Sequence, residues 1–70
     1  MERLKAFRRS QKITQEVMAF RLGITVSMYE KVESGRANAS ASFMRRMKKA
    51  FPDVSIDDIF FADNRNIIAD

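Results

Sequence analysis

The side chains that most often perform catalysis or hold metals are missing from this chain. Its 70 residues include no His and no Cys, which excludes thiolate zinc sites, disulfides and His-dependent hydrolysis. Asp57 and Asp58 are adjacent in a predicted helix, so their carboxylates point in different directions and do not suit paired acid and base work. The chain also lacks a glycine-rich phosphate loop. We therefore predict binding rather than catalysis, with no metal and no cofactor.

Positive charge is concentrated in the first three quarters of the chain. Residues 1–51 hold twelve Lys and Arg against four Glu, whereas residues 52–70 hold one Arg against five Asp. A basic surface attracts polyanions and releases counterions on binding, which is the sequence-independent part of nucleic-acid affinity. A basic cluster by itself also fits an ordinary solvated face of a small protein. Whether this charge indicates nucleic-acid binding therefore depends on the secondary-structure elements that carry it.

Local signals within residues 13–35 place two short helices close together. Thr14 precedes a helix-periodic run, and its hydroxyl can cap the first turn. Gly23 ends that run because glycine adopts the left-handed conformation without a steric penalty. Thr25 offers a second N-cap two residues later, and a Ser-Gly pair at 34–35 closes the second helix. This spacing is typical of a helix-turn-helix that reads DNA, and an ordinary helical hairpin is the alternative.

The segments on both sides of this pair are also predicted to be helical. One helix runs from Glu2 to about Arg9, another from Ser40 or Ser42 to about Ala50, and a short last helix is capped by Ser55. The apolar positions that share the inward faces of these five helices are Leu4, Phe7, Met18, Ala19, Leu22, Tyr29, Val32, Phe43, Met44, Met47, Phe51, Ile56, Ile59 and Phe60.

Domain organisation and compartment follow from length and hydropathy. We expect one small domain over residues 1–62 and a polar tail over residues 63–70, which is either flexible or contributes Ile67 and Ile68 to a dimer interface. No apolar run approaches the roughly 18 residues needed to span a bilayer, and the first residues lack a signal-peptide core. The expectation is a soluble, cytoplasmic protein without a membrane partner.

Several short motifs lie in order along nearly the whole chain. They are Leu4, Arg8, Ile13-Thr14-Gln15-Glu16, Met18-Ala19, Leu22-Gly23-Ile24-Thr25, Val32-Glu33-Ser34-Gly35, Asn38 and Ile56-Asp57-Asp58-Ile59-Phe60. Together they resemble the Cro and phage-repressor (XRE-type) helix-turn-helix family. The segment 29–35 and the break at 51–53 are similar to those of short regulators from phages and mobile elements of Gram-positive bacteria. The resemblance implies an all-α, five-helix phage-repressor-like DNA-binding domain with the helix-turn-helix at helices 2 and 3.

The resemblance further implies that the third helix lies in the major groove of double-stranded DNA. Lys31 would donate to guanine, Ser27 would donate or accept, and Val26 would pack against a thymine methyl group. Val26 departs from the polar or Arg residue that is usual in the family. The positions that match the family's phosphate contacts are Gln15, Thr25, Ser34, Arg36 and Asn38.

Two sets of charged residues are given structural roles. By resemblance, Arg8 and Glu33 form an ion pair that ties the first helix to the end of the third. A run of basic residues on the fourth helix is expected to be its solvated side, with some long-range help to DNA binding as the alternative. This run comprises Arg45, Arg46, Lys48 and Lys49.

The function predicted from the sequence is a sequence-specific transcription regulator that binds a palindromic operator as a homodimer. Repression is favoured because occlusion of polymerase needs only occupancy. The alternative is a protein-interaction module, an antirepressor or assembly factor, that uses an exposed apolar patch of Val17 and Phe20 with Met28 or Val26. The other alternative is that Phe20 folds over Phe7 or a neighbouring loop and leaves no patch.

Overall fold

The computed structural model describes residues 1–61, which form five helices and no strand. The predicted all-α, five-helix class is thus confirmed for this part of the chain. The helices are α1 (Glu2–Ser10), α2 (Gln15–Leu22), α3 (Val26–Glu33), α4 (Ala41–Ala50) and α5 (Ile56–Phe60). The tail at residues 63–70, with Ile67 and Ile68, lies outside the described residues.

Hydroxyl caps begin four of these helices. Thr14 Oγ1 accepts from the Val17 amide at 3.2 Å, and Thr25 Oγ1 accepts from the Met28 amide at 3.1 Å. Ser40, not Ser42, caps α4, because its Oγ accepts from the Phe43 amide at 3.0 Å. In α5, Ser55 Oγ accepts from the Asp58 amide at 3.2 Å. Each cap satisfies an amide that has no carbonyl partner within the helix.

The core lies where the inner faces of all five helices meet. Its most deeply buried large side chains are Tyr29, Leu4, Met18, Met47 and Val32. Several positions predicted to face inward are only partly buried and lie at its margin, namely Phe7, Met44, Ile56 and Phe60. Val54, in the loop before α5, is buried although no helical periodicity pointed to it.

The turn between α2 and α3 is held from two sides. Gly23 adopts the left-handed conformation at φ +72°, and the Ile24 amide donates back to the Ala19 carbonyl at 3.0 Å. Arg46 of α4 donates through Nη1 to the carbonyls of Leu22 at 2.9 Å and Gly23 at 3.3 Å. The turn that separates the two motif helices is therefore fixed to the rest of the domain.

All four members of the α4 basic run are exposed, as predicted for the solvated side of this helix, and two of them also bond backbone carbonyls. Arg46 bonds the end of α2, as above, and Lys48 Nζ donates to the Val54 carbonyl at 3.1 Å. The carbonyls that Arg46 bonds lie at the C-terminus of α2, where helix geometry leaves acceptors unpaired, and the carbonyl that Lys48 bonds lies in the loop before α5. Within residues 1–61, no helix is long and apolar enough to cross a membrane.

Candidate nucleic-acid interface

The outer face of α3 carries the three residues expected to contact bases. Ser27 and Lys31 are exposed, and Val26 keeps 43% of its surface accessible. Tyr29 and Val32, on the opposite face of the same helix, are buried in the core. The helix is thus anchored through one face and presents the other to solvent, as an element that enters a DNA groove must.

Acidic charge on the outer face of α3 is compensated by a neighbour. Glu30 lies one turn after Val26, and its Oε1 accepts a hydrogen bond from Arg36 Nη2 in an exposed ion pair. Arg36 also donates through Nε to Ser34 Oγ at 3.1 Å. Two of the expected phosphate-contacting residues, Ser34 and Arg36, are therefore bonded to each other, and Arg36 is also paired with Glu30. Glu30 was not identified from the sequence, although its position four residues after Val26 could have pointed to it.

The Gln15 side chain bonds the end of α3. Its Nε2 donates to Glu33 Oε1 at 3.1 Å, and the residue is half-buried at the first position of α2. Because the side-chain amide carries two hydrogens, this bond does not exclude a second one to a phosphate. The phosphate contact that the family resemblance implies for Gln15 therefore stays a prediction.

The remaining expected phosphate contacts lie at the two ends of the α3 region. Thr25 is exposed, but its hydroxyl oxygen is engaged as the N-cap of α3. Asn38 is exposed in the segment between α3 and α4. Thr25 and Asn38 thus flank the exposed face of α3 in the chain, one before the helix and the other after it.

Arg8 and Glu33 form a two-point ion pair between α1 and α3. Arg8 donates through Nε to Glu33 Oε2 at 2.9 Å and through Nη2 to Oε1 at 3.2 Å. Arg8 Nη1 also donates to the Ile13 carbonyl at 2.8 Å. The side chains are only 12% and 5% exposed, respectively. Planar guanidinium geometry suits this arrangement, which links α1, the segment before α2 and the end of α3.

The electrostatics of this cluster stabilise the charged forms of both partners. Burial alone would raise the pKa of Glu33, but the hydrogen bonds from Arg8 and Gln15 outweigh it and hold that pKa below its usual value. The bond to Glu33 raises the pKa of Arg8. Burial also raises the pKa of Tyr29, whose hydroxyl lies close to the pair. Among residues 1–61, the Tyr29 hydroxyl is the buried side-chain polar atom that has no hydrogen-bond partner.

In the part of the chain that the structure describes, no group of three His, Cys, Asp or Glu side chains is placed to hold a metal ion. The exposed face of α3 carries apolar, hydroxyl and cationic side chains. The Glu30 carboxylate beside them is paired with Arg36. Such a face can make hydrogen bonds and apolar contacts to base edges.

Two capped helices, a left-handed glycine turn and an exposed second helix define a helix-turn-helix domain. Comparison with protein families bears this out, because the model described as Helix-turn-helix (HTH_3) matches residues 4–59. The chain belongs to this XRE-type helix-turn-helix family, as its sequence motifs indicated, and is a DNA-binding transcription regulator. Searches of curated proteins and of solved structures found no match.

Proposed function

We propose that this regulator is a sequence-specific repressor that binds a palindromic operator as a homodimer. The observation that carries the proposal is the exposed face of α3, where Val26, Ser27 and Lys31 are accessible while the opposite face is anchored in the core. In this proposal the bound protein blocks polymerase by occupancy alone. By the similarity of its motifs, we place it among the short regulators of phages and mobile elements of Gram-positive bacteria.

The three α3 side chains divide the recognition of bases among themselves. Lys31 donates to O6 or N7 of guanine, Ser27 donates or accepts, and Val26 packs against the methyl group of thymine. Each good contact discriminates against the wrong base by about 1–3 kcal/mol. Since Val26 offers only apolar contact, we expect the base beneath it to be specified less sharply than the base beneath Lys31.

Phosphate contacts come from the ends of the motif. Arg36 and Ser34 are available after α3, where Arg36 exchanges its exposed partner Glu30 for a phosphate. At the other end, the first amides of α2 face the backbone, since a helix N-terminus attracts anions. Gln15, which donates one amide hydrogen to Glu33, donates the other to a phosphate at this end, and Thr25 and Asn38 complete the set.

Dimerisation is required by the small size of the reading surface. One α3 helix of 8 residues spans only a few base pairs, and specific protein–DNA interfaces bury more surface than one such helix offers. Two copies related by a two-fold axis place their recognition helices about 34 Å apart, one turn of DNA, and thereby impose a palindrome on the operator.

Selection of bound duplexes from a random pool, followed by fluorescence anisotropy at two salt concentrations, tests the proposal. We expect a palindromic consensus, affinity that falls steeply with salt, and two protomers per duplex in analytical ultracentrifugation. Lys31→Ala should lower the affinity of the protein for the selected duplex by about tenfold and relax its preference at one base pair. Arg3→Ala, which removes an exposed cation of α1, is the matched control. Affinity that is independent of sequence, or one protomer per palindrome, would contradict the proposal.

A second function, protein interaction through α2, is supported by one observation. Phe20 is 85% exposed and Val17 is 39% exposed on this helix, so the alternative in which Phe20 folds over Phe7 or a neighbouring loop is wrong. We propose that this surface binds a protein partner, as in an antirepressor or assembly factor. Activity in cells that is lost in Phe20→Ala and retained in Lys31→Ala would favour this function over DNA reading.

A further inference from the structure

A surface groove of about 420 Å³ lies between α2 and α4. Its apolar lining comes from Phe20, Leu22 and Ala50. Phe20 is the most exposed of the large hydrophobic side chains in residues 1–61. An aromatic ring left in water beside a concave surface is a common feature of protein-binding sites, because its burial contributes free energy only when a partner covers it.

Every ionisable side chain that lines this groove is basic. Arg21 comes from α2, and Arg46 and Lys49 come from α4. Arg46 is held in place by its bonds to the carbonyls of Leu22 and Gly23, and the Arg21 guanidinium lies 5.8 Å from the centre of the Phe51 ring. Two of the three cations are thus positioned before any ligand arrives, which lowers the entropy lost on binding.

Gly23 leaves room for the Arg46 guanidinium at one end of the groove. A Cβ atom at this position would lie 2.9 Å from Arg46 Nη1 and would displace the guanidinium. The glycine required by the left-handed turn therefore also lets Arg46 lie directly against the turn.

We propose that this groove binds an acidic segment of a partner protein that carries an aliphatic or aromatic side chain. The carboxylates of this segment pair with Arg21, Arg46 and Lys49. Its apolar side chain packs between Phe20 and the part of the groove lined by Leu22 and Ala50. A DNA backbone would satisfy the cations but would leave Phe20 unburied, so the apolar lining favours a peptide. This inference deepens the protein-interaction function proposed above and names the chemistry of its partner.

The groove is separate from the proposed base-reading face. Val26, Ser27 and Lys31 do not line it. The segment can therefore bind while α3 contacts DNA, and the regulator would hold both at once. If the protein fails to bind an operator, the inference about the groove is unaffected. If the groove fails to bind the peptide, the proposal of operator binding is unaffected.

Titration of the full, isotope-labelled chain with short synthetic peptides tests the inference by NMR. The first peptide combines Asp and Glu with Leu and Phe, and the second replaces Leu and Phe by Ser. We expect the first peptide to shift the amides of residues 20–23 and 49–50, and to bind about tenfold more tightly than the second.

Variants at the groove and at a matched position complete the experiment. Phe20→Ala and Lys49→Glu should each weaken the first peptide by about tenfold, whereas Arg45→Glu, which makes the same charge change at an exposed α4 position outside the groove, should not. Each variant is checked for an unchanged thermal transition.

Three outcomes would overturn the inference. They are no amide shifts at saturating peptide, equal binding of the two peptides, and equal weakening by Lys49→Glu and Arg45→Glu. A further titration with duplex DNA decides between ligands: if the amides of residues 20–23 and 49–50 respond to DNA and not to the first peptide, the groove is a phosphate-backbone site and the proposal is wrong.

Discussion

Arg8 of α1 donates two hydrogen bonds to the carboxylate of Glu33, the last residue of α3. Their lengths are 2.9 Å from Nε and 3.2 Å from Nη2. Gln15, the first residue of α2, donates to the same carboxylate. Glu33 is therefore where the first three helices meet, and it fixes the end of the proposed recognition helix relative to the start of α2.

Removal of either partner of the ion pair should destabilise the domain strongly. Glu33→Gln leaves the Arg8 guanidinium nearly buried without a counter-charge, and we expect a loss of about 3 kcal/mol in the free energy of unfolding. Arg8→Gln should have a similar effect. Because the two residues interact directly, the double variant should lose about 1–2 kcal/mol less than the sum of the singles in urea denaturation. Additive losses would contradict the coupling.

Stability should depend on pH through Glu33. Its pKa is lowered in the folded state, so its contribution is fully present above the unfolded value of about 4.3 and is lost as pH falls through the folded pKa. The wild-type chain should therefore lose stability below about pH 4.3 more steeply than Glu33→Gln does. Thermal melts across this range measure the difference, and Glu16→Gln, on the exposed side of α2, controls for net charge. Parallel curves for wild type and Glu33→Gln would refute the role.

Tyr29→Phe should leave the domain as stable as before or stabilise it by up to about 1 kcal/mol. The Tyr29 hydroxyl is fully buried and has no hydrogen-bond partner among residues 1–61, so it bears a desolvation penalty without compensation. The ring packing on Phe43, with centroids 6.2 Å apart, is retained in the variant. A loss above about 1 kcal/mol in chemical denaturation would mean that the hydroxyl makes a stabilising bond.

Gly23→Ala should destabilise the domain by about 1–2 kcal/mol through its left-handed backbone alone, and further by displacing Arg46. When Arg46 is replaced by Met, the added Cβ no longer displaces a guanidinium. The loss in the free energy of unfolding of the double variant Gly23→Ala/Arg46→Met should therefore be smaller than the sum of the losses of the two single variants. Gly35→Ala is the matched control: its φ is +86°, but an added Cβ meets nothing within 4 Å. Gly35→Ala should therefore lose stability through its backbone alone, and this loss should add to that of Arg46→Met in the double variant. Equal non-additivity with Arg46→Met at both glycines would contradict the steric explanation.

Most of the local structure was predictable from the sequence because its signals act between near neighbours. The Thr14 and Thr25 caps bond amides three residues away, and Gly23 ends α2 by its own backbone preference. Together with the periodic apolar positions, these signals predicted the five helices and the helix-turn-helix. The predicted end of α1 at about Arg9 was one residue early, since the helix continues to Ser10.

The tertiary structure decided the features that depend on residues far apart in the chain. Arg46 reaches a carbonyl 24 positions earlier, Gln15 bonds Glu33, and Phe20 stays in solvent beside a basic groove. No local pattern encodes these outcomes, because each depends on which acceptor or apolar surface the packed helices bring within reach. From the sequence alone, the five helices, the class of protein and, by resemblance, the Arg8–Glu33 pair could be predicted. The partners of Gln15, Arg46 and Lys48 and the surface left open required the packed structure.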